Sequence, residues 1–198
     1  MTPRHGRSDA GQAFPIYLTV VGGLLFLALA YFAVGQAAAN RNGAQTAADA
    51  AALAAAQDTR DQLAGQWVEQ LLDPTTWQDI FDGRNVTTTD SCGRADALAG
   101  QNGARVLNCV QHRILAFTVE VEAEKPVGDS IVPGTENTRS RASATAVVEP
   151  LCTFRATGED DDTLPQLRCE DVDWDLDPEE TGDLPKPSDL FEVHLADQ

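Results

Sequence analysis

The chain has 198 residues, 31 Asp and Glu against 14 Lys and Arg, and a formal net charge of −17. Such an acidic surface repels phosphates, so a nucleic-acid role is excluded, and binding to anionic lipid headgroups is not expected. The length beyond the first apolar run suits one modest domain and not two.

Residues 1–13 read as a short cytoplasmic stub. Phe14–Val34 then forms an uninterrupted run, FPIYLTVVGGLLFLALAYFAV, with no Asp, Glu, Lys, Arg or His. At about 1.5 Å per residue it spans about 30 Å, the thickness of a bilayer's hydrocarbon core. Its Leu, Ile, Val and Phe residues favour insertion by about 4–7 kcal/mol before the Gly, Pro and Thr residues are set against them. Arg4, His5 and Arg7 precede the run with only Asp9 opposing, and Arg41 alone follows it before Asp49. Basic flanks stay cytoplasmic, so the N-terminus is expected inside and the large C-terminal part outside. Ala37-Ala38-Ala39 offers a signal-peptidase-like site, but the run exceeds the about 7–15 residues of a usual signal core.

Residues 35–72 are dense in alanine, the strongest helix former, and the anchor is expected to continue into this stretch, with Asn40, Asn42 and Gly43 as its weak point. Leu63, Trp67 and Leu71 share one helical stripe. Ala48, Ala52 and Ala55 form a smoother one, able to pack on the chain's own domain or, together with Gly22 and Gly23, against a neighbouring helix.

Residues 73–150 read as a small α+β unit. Asp73-Pro74 suggests a capped short helix to about Phe81, Asp82-Gly83 a turn, and Asn85–Thr89 a short strand. Asp90 or Ser91 caps a helix that ends at Asn102-Gly103. Ala104–Val110, Ile114–Glu124 and Arg139–Glu149 read as strands. Phe117, Val119 and Val121 alternate with Thr118, Glu120 and Glu122 in the second, and Ala142, Ala144, Ala146 and Val148 alternate with polar neighbours in the third. Pro126, Gly128, Pro133 and Gly134 mark the loop between them.

Residues 151–198 read as an acidic, irregular segment. From Glu149 onward sixteen Asp and Glu face Arg155, Arg168 and Lys186. If extended, Asp171, Asp173, Asp175 and Asp177 share one face while Val172, Trp174 and Leu176 pack inward. This array, with Glu179 and Glu180, raises an alternative role in binding a cation or a basic envelope partner. The EF-hand spacing fails, because Pro178 and Leu184 stand where Gly and Glu are needed. Residues 189–195 suggest an edge strand that docks the segment.

The four cysteines, Cys92, Cys109, Cys152 and Cys169, suit an oxidising compartment and allow three connectivities. Pairing in sequence order is favoured because each bond then closes a local loop, worth about 3 kcal/mol in the chain-entropy model. No HExxH, GxSxG, GxxxxGK[ST] or GxGxxG occurs, and His5, His112 and His194 are isolated. No enzyme activity, cofactor, resident metal or small-molecule substrate is therefore expected.

The apolar run after Gly11, followed by AQTAADAAALAAA at Ala44–Ala56, resembles the N-terminus of TadE/TadG-like proteins of Flp (tight adherence) pilus assembly, in the style of actinobacterial members. The resemblance covers about residues 7–60. It implies a pseudopilin or assembly component that works with pilin-like or secretion-machine proteins. In prepilins of this type a peptidase cuts after a glycine, here between Gly11 and Gln12, and a Glu at the fifth position beyond the glycine assists assembly. Ile16 stands at that position, which leans toward the TadG-like branch, generally not processed. Many members of that branch carry an acid near the end of the apolar run, where this chain has Ala33.

Overall fold

The computed structural model describes residues 13–126, 137–155, 164–178 and 183–196. All of the stub but Ala13, with the possible processing site Gly11–Gln12, and Gly128, Pro133, Gly134, Glu179 and Glu180 lie outside the described residues. The fold is mixed α+β, with a long N-terminal helix and two antiparallel sheets.

Helix α1 runs from Ala13 to Glu69, 57 residues, or roughly 85 Å. It passes through Asn40–Gly43 without a break, where Thr46 Oγ1 donates to the Asn42 carbonyl at 3.0 Å. Beyond it come α2 (Trp77–Phe81), α3 (Cys92–Gln101), β1 (Ala104–Gln111), β2 (Ala116–Ala123) and β3 (Arg141–Pro150). The remainder holds β4 (Cys152–Phe154), β5 (Leu167–Cys169), β6 (Val172–Trp174), α4 (Pro187–Leu190) and β7 (Phe191–Leu195).

The main sheet has the order β1-β2-β3-β7, antiparallel throughout. Its inner face presents Phe117, Val119, Val121, Ala144, Ala146, Val148 and Phe191, all buried, to the second half of α1. The helix answers with Ala44, Ala47, Ala48, Ala51, Ala52, Ala55 and Ala56, then Leu63 and Trp67. These positions advance by three or four residues, so two adjacent rows face the sheet. Small side chains on both sides let helix and sheet approach closely at the end nearer the apolar run. At the far end, bulk takes over. Trp67, Trp77 and Phe154 stack at centroid distances of 5.4 and 5.2 Å, and Phe81 meets Phe154 and Phe191 at 6.2 and 5.6 Å. Such pairs contribute about 0.5–1.5 kcal/mol each beyond area burial. One core cluster includes residues from Ala47 to Phe191, crossing the expected divisions at 72 and 150.

Three local expectations resolve differently. Asp73 does not cap α2, whose N-cap is Thr76; it accepts hydrogen bonds from the Thr75 amide and hydroxyl and shapes the preceding turn. Asn85–Thr89 joins no sheet, and Asn85 itself has φ +52, in the left-handed region. Instead the Gln62 and Gln66 side chains of α1 serve it: Gln66 Nε2 donates to the Thr87 carbonyl at 2.7 Å, and the Thr89 amide donates to Gln62 Oε1 at 2.6 Å. Two amide side chains one turn apart thus take the place of a partner strand. The C-terminal segment is also less irregular than its charge suggests, since β4, β5 and β6 form a three-stranded sheet and β7 pairs with β3. At Gly83, with φ +63, a Cβ would come within 2.9 Å of Leu115, so both backbone and space require glycine.

Disulfides join Cys92 to Cys109 and Cys152 to Cys169. The first ties α3 to β1; the second links directly paired residues of β4 and β5.

Candidate membrane anchor and its junction with the domain

From Phe14 to Val34, α1 has no partner among the described residues. Its large apolar side chains there, Phe14, Ile16, Tyr17, Leu18, Val20, Leu24–Leu27, Leu29, Tyr31, Phe32 and Val34, are each at least 55% exposed. Leu24, Leu25, Phe26 and Leu27 are consecutive and so cover a full turn. An apolar surface on all sides suits lipid and not a single packed face. The helix is long and apolar enough to cross a membrane. Pro15 sits in the first turn, where a missing N–H costs nothing, and Thr19 Oγ1 donates to its carbonyl at 2.8 Å. Tyr17 and Tyr31 stand near the two ends of the run, where amphipathic rings favour headgroup level.

The packing candidates separate. Gly22 and Gly23 have no neighbour that a Cβ would meet within 4 Å, so that face of the helix is open. Ala48, Ala52 and Ala55 are fully buried against the chain's own sheet and α3. The reading of that stripe as a surface for another subunit is thereby corrected: the larger inner face of β2 and β3 already occupies it.

The junction lies at Ala39–Ala44. There the helix meets the turn Asn102–Ala104 and the end of β2 at Ala123–Lys125 around a shallow cleft. Slightly farther along, Gln45 Nε2 donates to the Ser143 carbonyl at 3.4 Å. The start of β1, the end of β2 and the start of β3 are therefore the membrane-proximal end of the sheet. On its outer face Glu122 is only 6% exposed. Arg105 Nε donates to Glu122 Oε2 at 3.1 Å and Arg141 Nε to Oε1 at 2.9 Å, while Arg139 stands 3.9 Å away. Hydrogen bonds from Arg105 first, then Arg141, hold the Glu122 carboxyl below its ordinary pKa against the opposing pull of burial. Periodicity placed Glu122 on the outer face but did not reveal this cluster; the pairing register Arg105↔Glu122↔Arg141 is what assembles it.

A second polar group fixes the start of α3. Ser91 Oγ lies 2.8 Å from Thr59 Oγ1 and donates to Asp58 Oδ2 at 2.9 Å, joining two buried hydroxyls across the helices. Asp79, at the surface, is lowered in pKa chiefly by a hydrogen bond from Asn85.

The alternating aspartates do not converge. Asp173 lies 3.8 Å from Arg168 and Asp175 accepts from Gln166 at 3.1 Å. Val172 is 53% exposed and does not pack inward as its spacing suggested, whereas Trp174 and Leu176 are half-buried. Among the described residues, no group of three or more His, Cys, Asp or Glu could hold a metal ion. His112 is exposed, and His194 Nε2 lies 3.9 Å from Glu149 at the sheet edge.

No curated protein and no solved structure matches the chain. Residues 11–58, which span the apolar run, the junction and the first alanines docked on the sheet, match the family model described as "Putative Flp pilus-assembly TadE/G-like".

Proposed function

We propose that this protein is a single-pass membrane component of a pilus-assembly system of the TadE/TadG-like kind, with its N-terminus cytoplasmic and its disulfide-bonded domain outside. It works by packing and not by catalysis. The observation that carries the reading is the coincidence of the family match at residues 11–58 with an apolar helical segment, Phe14–Val34, that has no partner among the described residues. Partners are pilin-like or secretion-machine helices that meet the open Gly22–Gly23 face, where the absence of side chains allows close backbone approach. Ile16 favours an unprocessed, TadG-like anchor over a cleaved pseudopilin.

Intact mass of the protein in membrane and culture fractions of its host tests this. Full-length mass in the membrane is expected. A cut after Gly11 would replace the anchor reading with a processed pseudopilin. A cut after Ala39 with release to the medium would overturn membrane residence altogether.

A further inference from the structure

The small sheet ends in a strand with one side open. Strand β6 pairs with β5 through Leu167↔Trp174, Arg168↔Asp173 and Cys169↔Val172, and among the described residues no strand lies on its other side. The hairpin fixes where its backbone groups point. The Glu170 amide donates to the Leu151 carbonyl, toward β4. Bonding directions alternate along an antiparallel strand, so Cys169 and Leu167 bond the other way, to Val172 and Trp174. The N–H and C=O of Asp173, between those two, therefore point away from β5 and into the open edge.

The side chains mark the same edge. Leu167, Cys169, Val172 and Trp174 share the inner face of the sheet. Exposure on that face is 0% at Leu167 and 4% at Cys169 but 53% at Val172, one strand farther out. The layer thus stops with an apolar side chain uncovered. On the outer face stand Asp173 and Asp175, both exposed, with Glu170 and Asp171 in the adjoining turn. Arg168 lies 3.8 Å from Asp173, but both are open to water and the pair is weak. Gln166, which donates to Asp175, carries no charge. Nothing nearby in sequence offsets the acids. Arg168 is the one base from residue 156 to residue 185, and Glu159–Asp162, Glu179 and Glu180 add to the same sign.

We infer that β6 receives an extended segment of another protein as a further antiparallel strand, one in which Lys or Arg alternates with apolar residues. Its backbone meets the outward N–H and C=O of Asp173. Its basic side chains lie opposite Asp173 and Asp175, and its apolar ones cover Val172 and Trp174. The period of two in both strands lets one segment match charge on one face and apolar surface on the other. Main-chain bonds supply the affinity of such an addition, and alternate side chains its specificity. The β6 strand of a second copy does not fit, because like charges directly opposite one another destabilise a pair. The inference goes beyond the anchor and does not depend on α1 spanning a bilayer.

The full chain in detergent micelles is titrated with a dye-labelled peptide of alternating lysine and valine, read by fluorescence anisotropy. Two N-methylated forms keep the charge constant, one methylated at the lysine amides and the other at the valine amides. An antiparallel strand opposite Asp173 uses its lysine amides. Binding is therefore expected to survive in the valine form and to be lost in the lysine form. Any result in which the two forms behave alike overturns strand addition. The double substitution Asp173→Asn, Asp175→Asn is expected to weaken binding by up to roughly 5-fold per carboxylate, with the thermal midpoint unchanged. Full affinity in that variant places the peptide elsewhere and overturns the site, as does the absence of binding at about 1 mM unmethylated peptide. None of these outcomes touches the anchor, which the intact mass tests by itself.

Discussion

The two halves of α1 are both helical and both bear apolar faces, yet they solve opposite problems. Residues 14–34 carry large side chains on every side and meet nothing else among the described residues. Residues 44–67 carry mostly alanine on one side, and that side is buried almost to completion. Size, and not hydrophobicity alone, divides them. Lipid fills any shape left to it, so the first half can be bulky and irregular. A folded sheet has a fixed shape, so the second half must be flat enough for backbones to approach.

The sharpest break of this comparison is truncation of a large side chain in each half. Trp67→Ala is expected to cost about 3–5 kcal/mol, read as a large fall in the domain's thermal midpoint. Leu24→Ala should leave that midpoint within about 0.5 kcal/mol of its original stability. Equal shifts from the two would mean that the first half packs against the domain after all. Next in size is Ala52→Leu, which forces a larger group between helix and sheet. About 1–3 kcal/mol is expected from overpacking, measured by denaturant unfolding. A neutral outcome would show that the interface is looser than its buried alanines suggest.

The smallest effect sharpens the comparison at the junction. The folded pKa of Glu122 lies below its unfolded value, so its contribution is present above the unfolded pKa, near 4.5. It is lost as pH falls from there through the folded pKa. Glu122→Gln should therefore flatten the acid limb of the stability curve, measured as thermal midpoint against pH. An unchanged acid limb would assign that limb to other carboxylates.

The helix halves and the three main strands were legible because each is set by local periodicity. Phe117, Val119 and Val121 declare their face without help. What the stripe Ala48–Ala55 packs against was not legible, since flatness identifies a close contact but not its owner. Asn85–Thr89 has the β-branched content of a strand, but its hydrogen-bond partners are two glutamines more than twenty residues earlier. The three-residue strands β4 to β6 are too short to show a period, and their order depends on a disulfide and on Leu151, whose amide donates to the Leu190 carbonyl. Glu122 looked like any outward carboxylate until the register placed Arg105 and Arg141 beside it.

The pairing of β7 with β3 has a consequence for biosynthesis. Chains are made N-terminus first, and domains fold as their parts emerge. The face of α1 that ends in Trp67 is synthesised early, followed by Trp77 and Phe81. Leu190 and Phe191, which cover Phe81 and complete the sheet edge, come more than 100 residues later. Throughout that interval the aromatic end of the nascent domain lacks its cover and is open to any chaperone that recognises exposed rings.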